Sequence, residues 1–239
     1  MRRLIKLNLR NIFHNKLFYV CLGLSLLLNV GVSFLSEVLF KSVGVNTKAL
    51  ESLTSVFTSG VDIIAMIFIT LYCTFDFSEG TTKNIIARGY SKTKLLISKY
   101  IASLIGVLAI ILISATLSFV LYIKNGLGYN SSMPLSILVG IIGVVAYTIL
   151  YATVAFSLEK TSSSIIANMF IPNIINLVIG IADSNLHAKM SRYWIDNVNN
   201  SFINNPTASN MIFPIVMYLI YIVILTFIGI QIAKNKEIK

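Results

Sequence analysis

Six long apolar runs divide the chain, near residues 17–36, 57–76, 101–123, 134–157, 163–182 and 211–233. Each reaches the ~20 residues that a helix needs to cross a hydrocarbon core. Backbone groups in lipid must be satisfied within the segment, and the period-two alternation of barrel strands is absent, so the runs read as helices. The pattern predicts an all-α integral membrane protein: one membrane domain over residues 1–239 with six transmembrane helices.

The polar stretches between the runs carry patterns of their own. Residues 1–16, MRRLIKLNLRNIFHNK, place Arg3, Lys6 and Arg10 within a ~60° arc at helical spacing. Leu4, Leu7 and Asn11 fall on another side, with Ile5, Leu9 and Ile12 nearby. A basic interfacial helix on the inner leaflet fits this arrangement; a frayed positive flank that only sets topology is the alternative. The apolar run behind it is longer than the ~7–15 residues of a signal-peptide core, and no A-x-A site follows, so it reads as an uncleaved first span.

The densest charge lies between the second and third runs, in residues 78–99. Gly80 closes the extension of the second run, and the hydroxyl of Thr81 or Thr82 can cap a short helix ending near Arg88. Gly89 suits the left-handed position after a helix end, and Ser91 can cap the next helix, which continues through Lys99 into the third run. Ile85 and Ile86 are apolar on this otherwise charged helix, and apolar groups rimmed by charge mark contact surfaces. A solvated basic loop on anionic lipid would account for the lysines but not for the Gly and Ser punctuation.

The fifth run is the most polar. Asn168, Pro172 and Asn176 recur every four residues with Asn173 beside them, and Pro172 removes a backbone donor and should kink the helix. Buried amides need partners in lipid. The stripe therefore reads as part of a translocation path, as a subunit interface, or as hydrogen bonding between helices of one chain. Tyr147 and Tyr151 make a similar i, i+4 pair in the fourth run, with plain packing as the alternative. Residues 183–210 form a long outer segment; Tyr193 and Trp194 favour a membrane–water interface, so short helices dipping at that surface are expected.

Composition adds an orientation and removes functions. Hydrophobic residues make up 56% of the chain and charged residues 12%, with a mean hydropathy of +0.83 and a net charge of +10. A soluble domain would be about a quarter charged. Fourteen of the nineteen Lys and Arg fall before the first run, after the second, after the fourth and after the sixth. By the positive-inside rule both termini and residues 78–99 are then cytoplasmic. Cys21 and Cys73 lie inside apolar runs, and His14 and His187 on opposite sides, so no metal ligand set is signalled. Asp62 is the one acid placed inside a run rather than at its boundary, about five residues from the outer end, where a hydrated or helix-capping role fits. No catalytic constellation and no G-x-x-x-x-G-K-[ST] loop exist, so the chain reads as no enzyme and binds no cofactor, and any ATP chemistry belongs to a partner. No nucleic-acid partner is expected.

Glu79, Gly80-Thr81-Thr82-Lys83, Gly89, Ser91-Lys92 and Lys99 together resemble the loop between the second and third spans of ABC-2 type permeases. The match is specific over about 24 residues and loose over the rest, and is nearest in flavour to Gram-positive permeases for lantibiotics and other membrane-active peptides. Lys92 stands where arginine is usual, keeping the charge but losing a bidentate fork. The resemblance implies that 78–99 is a coupling segment docking on a separate ATPase, with Glu79, Gly80, Thr81, Lys83, Arg88, Gly89, Ser91 and Lys92 as coupling elements. Thr82, Ile85 and Ile86 join them from the reading of the helix itself. It further implies ATP and Mg on the partner ATPase, a second permease subunit (identical or paralogous), and re-entrant helices after the fifth span. The expected function is export of amphipathic peptides or hydrophobic compounds across a bacterial plasma membrane, in contact with membrane lipid. The alternative is a membrane immunity protein that binds a toxin without transport.

Overall fold

The structure, a computed structural model, describes residues 1–43, 61–124, 133–186, 189–200, 202 and 207–235. Among the described residues the chain is helical throughout, with no strand. The elements are α1 (Arg2–His14), α2 (Lys16–Val43), α3 (Val61–Ser78), α4 (Thr81–Ala87), α5 (Lys92–Lys124), α6 (Met133–Leu158), α7 (Thr161–Leu186), a 3₁₀ turn (Met190–Tyr193) and α8 (Ile212–Asn235). The predicted runs correspond to α2, α3 and α5–α8, though α2 runs past residue 36 and α5 starts well before 101. Residues 57–60 of the second run, and 187–188, 201 and 203–206 of the outer segment, lie outside the described residues.

Helices α5, α6, α7 and α8 are each long and apolar enough to cross a membrane. Two bent pairs, α1 with the start of α2 (57°) and α3 with α4 (65°), raise the number of candidate spans from four to as many as six. The first bend falls at Asn15, whose extended backbone breaks the helix while its Oδ1 accepts the Leu17 N–H at 3.0 Å to start the next one.

Helices α3, α5 and α6 form the centre: α1 and α2 lie against α5, α7 against α3 and α6, and α8 against α6 and α5. Phe68, Ile69, Leu95, Leu96, Val107 and Ile110 are buried there. Gly106 makes one close approach possible, because a Cβ at that position would stand 2.8 Å from the Phe68 ring. Hydroxyl and amide pairs tie the helices together: Ser25 to Ser114 at 2.9 Å, Tyr100 to Thr153 at 2.6 Å, Thr74 to Thr161 at 3.0 Å, and Asn168 to Thr70 at 2.8 Å. In a bilayer, where apolar surface gains little by leaving lipid, such bonds and close packing do the work of association. Peripheral α7 and α8 turn Ile166, Phe170, Leu177, Leu219, Val223 and Phe227 outward, as lipid-facing helices do.

Candidate functional site

The 78–99 segment is built as a fixed crosspiece. Gly80 takes a left-handed backbone (φ +66°), turning the chain 65° from α3 into α4. Gly89 does the same (φ +85°) after α4, and the Lys94 N–H donates to the Ser91 hydroxyl at 3.3 Å as α5 begins. The expected stops at Gly80, Gly89 and Ser91 are thus present, but the cap is different. Neither Thr81 nor Thr82 caps α4: Gly80 occupies the N-cap position, and the buried Thr82 hydroxyl donates to the Asp76 carbonyl at 3.1 Å. The helix ends at Ala87, with Arg88 as its C-cap.

Below the crosspiece lies a charge pair that patterning alone did not single out. Asp76, near the end of α3, is 6% exposed, and Lys99, in the third turn of α5, is 3% exposed. Lys99 Nζ stands 2.6 Å from Asp76 Oδ2, donates to the Tyr72 carbonyl at 3.1 Å, and sits 4.1 Å from the centre of the Tyr72 ring. A buried charge persists only when paired and hydrogen-bonded, and here the ammonium has a carboxylate, a carbonyl and a π face. The Tyr72 hydroxyl donates to the Asn8 carbonyl at 3.2 Å, and Asn8 Nδ2 donates to the Ser98 hydroxyl at 2.9 Å. One polar chain therefore joins α1, α3, α4 and α5. Its sequence signals were Asn8 in register with Leu4 and Ile12, and an acid and a lysine at facing ends of two apolar runs.

With α4 so held, Glu79, Lys83, Asn84, Ala87, Arg88, Gly89, Ser91 and Lys94 are exposed, and Gly80, Thr81, Ile86 and Lys92 are half-buried. The outward face carries three cations (Lys83, Arg88, Lys94) and one acid (Glu79). Ile85 corrects an expectation: it is buried among the core residues of this same chain, so it anchors α4 and is no part of a contact surface. Arg3, Lys6 and Arg10 are exposed on α1 opposite its buried stripe of Leu4, Asn8 and Ile12.

The polar stripe of α7 is divided. Asn168 is buried and donates to both Thr70 and the Tyr151 carbonyl, and Asn176 accepts from Asn197 at 2.8 Å. Both thus bond within the chain, whereas Asn173 is exposed and donates to the Met169 carbonyl of its own helix. Pro172 is buried, and α7 continues as a single helix through it. At the other end of the bundle, the Tyr147 hydroxyl and Trp194 Nε1 donate to the two carboxylate oxygens of Asp196, at 2.6 and 3.0 Å. Tyr151 lies against Tyr147, with ring centres 5.8 Å apart. Asp183 accepts from the Met190 and Ser191 N–H groups, and the Tyr221 hydroxyl donates to the Tyr193 carbonyl. Ile195, Val198 and Phe202 bury themselves against α6 and α8, so this outer segment is a packed element, built on a 3₁₀ turn and successive turns. Asp62 stands in the first turn of α3, where a carboxylate favours the helix N-terminus, within electrostatic reach of Asp196. Among the described residues no group of three His, Cys, Asp or Glu could hold a metal ion.

These features define a helical membrane protein with four to six candidate spans and a charged crosspiece pinned by a buried ion pair. The chain belongs to the family described as "Protein of unknown function (DUF2705)", whose sequence profile matches residues 17–239. None of the curated proteins matches it.

Proposed function

We propose that the chain is the permease subunit of an ATP-binding-cassette exporter of amphipathic peptides or hydrophobic compounds. It lies in a bacterial plasma membrane as six spans with both termini inside and works with a separate ATPase and a second permease subunit. The observation that carries this reading is α4 itself. A seven-residue helix is too short to hold its own shape in water, yet here two left-handed glycines, the Thr82–Asp76 bond and the Lys99–Asp76 pair fix it across the ends of two spans. Such a lever transmits force only if something outside engages it, and its outward face offers Lys83, Asn84, Ala87 and Arg88. Together with the resemblance of residues 77–100 to an ABC-2 permease loop and the missing nucleotide-binding loop, this favours an ATPase as the object engaged. The toxin-binding alternative would use the outer segment with Tyr193 and Trp194; Trp194 is half-buried and bonded to Asp196, which leaves less of that segment to bind a toxin.

The test is co-expression with an ABC ATPase subunit, reading tethering and ATP turnover of the purified complex. Arg88→Glu should fold and lose the ATPase. Ile85→Asp is unsuitable as an uncoupling variant, because it would bury a carboxylate in the core. If stable complexes form equally well with Lys83→Glu/Arg88→Glu, α4 is not the docking element.

A further inference from the structure

The charge of α1 is sorted by face. Leu4, Asn8 and Ile12 are buried, while Arg3, Lys6 and Arg10 are exposed on the opposite side, joined by exposed Arg2 and Lys16. The chain's first acid is Glu37, so nothing within α1 neutralises this face. Met1, Leu7, Phe13 and Tyr19 expose apolar surface around it. A soluble anion would leave those groups in water; the headgroup boundary of a bilayer accepts both cations and apolar side chains. The apolar run of α2 begins at once beyond Lys16, which sets the basic face beside that boundary.

We infer that α1 is a seat for anionic phospholipid headgroups and that occupancy of this seat is transmitted to α4 through the Asn8 carbonyl and Tyr72. The path is continuous: Asn8 carbonyl to Tyr72 hydroxyl, Tyr72 carbonyl to Lys99, Lys99 to Asp76, and Asp76 carbonyl to the Thr82 hydroxyl of α4. Asn8 is fully buried, and its Oδ1 has no hydrogen-bond partner among the described residues. Its side chain makes one bond, Nδ2 to the Ser98 hydroxyl, which holds α1 on α5, while the link to Tyr72 is made by its main-chain carbonyl. The inference rests on α1 lying at the membrane surface and needs no ATPase, so its failure is separate from failure of the transport reading.

The test is hydrogen–deuterium exchange of the full-length protein in nanodiscs of phosphatidylcholine alone or with added phosphatidylglycerol. Phosphatidylglycerol should slow exchange over residues 2–14 and over 80–91. Arg3→Gln/Lys6→Gln/Arg10→Gln should abolish both effects, with the preference for phosphatidylglycerol falling roughly fivefold per cation removed. Tyr72→Phe, which removes only the hydroxyl that donates to the Asn8 carbonyl, should keep the first effect and lose the second. In the unaltered protein both effects should fade in about 1 M salt, where the Debye length shrinks to ~3 Å, so the test stands even if a variant fails to fold. Equal exchange in the two lipids overturns the seat. Slowing over 80–91 that survives Tyr72→Phe overturns the transmission, since the lipid would then act on α4 directly.

Discussion

Lys99 is a cation inside a membrane bundle, and its surroundings explain why it can remain one. Asp76, the Tyr72 carbonyl and the Tyr72 ring replace its water. Removing one partner strands a buried charge: Lys99→Ala or Asp76→Ala should each cost about 3–5 kcal/mol, read as a lower midpoint in thermal unfolding in detergent. The paired change Asp76→Leu/Lys99→Met should cost much less than the sum of the singles, because no charge is left alone. Thr82→Val should cost about 1 kcal/mol and loosen α4 without touching the pair. Gly80→Ala forces an L side chain into the left-handed region at roughly 1–2 kcal/mol, seen in the same melt. Little of this was legible beforehand. Periodicity places Lys99 on a helix flank and counts it toward orientation; which face of α5 meets Asp76 depends on how two helices pack.

At the scale of elements, punctuation was easier to read than contact. Gly80, Gly89 and Ser91 mark the ends of a short helix because only particular residues fit those backbone states, and the structure uses all three. Ile85 was misread for the converse reason: an apolar residue among charges looks exposed until the core beneath it is known. The polar stripe of α7 likewise divides between inside and outside at a register the spacing could not fix. The outer segment shows the same limit. Asp196 gathers Tyr147 and Trp194 from sequence separations of 49 and 2 residues, a joint that no local pattern announces. Asp196→Ala should release residues 189–202 from α6, raising their protease sensitivity while the spans remain intact.

For the whole molecule, the helices were legible because hydrocarbon imposes one solution on any long apolar run. All six predicted runs correspond to helices, while length and composition support four to six spans, because α1–α2 and α3–α4 are bent pairs. The bundle has a tight polar-stitched centre and two outer helices, α7 and α8, with broad apolar faces. One end carries the basic face of α1 and the α4 crosspiece, joined by buried hydrogen bonds. On the proposed reading, a push taken up at α4 would pass into α3 and α5.

The most direct measurement is the ATP turnover of an ABC ATPase subunit co-purified with the full-length chain in membranes, compared between the native protein and Lys83→Glu/Arg88→Glu. Charge reversal at a complementary interface costs several kcal/mol, so on the proposed reading the variant should fold normally and bind the ATPase at least about tenfold more weakly, with turnover no longer depending on this chain. Equal association and equal turnover with the variant would contradict α4 as the site where this protein receives its energy.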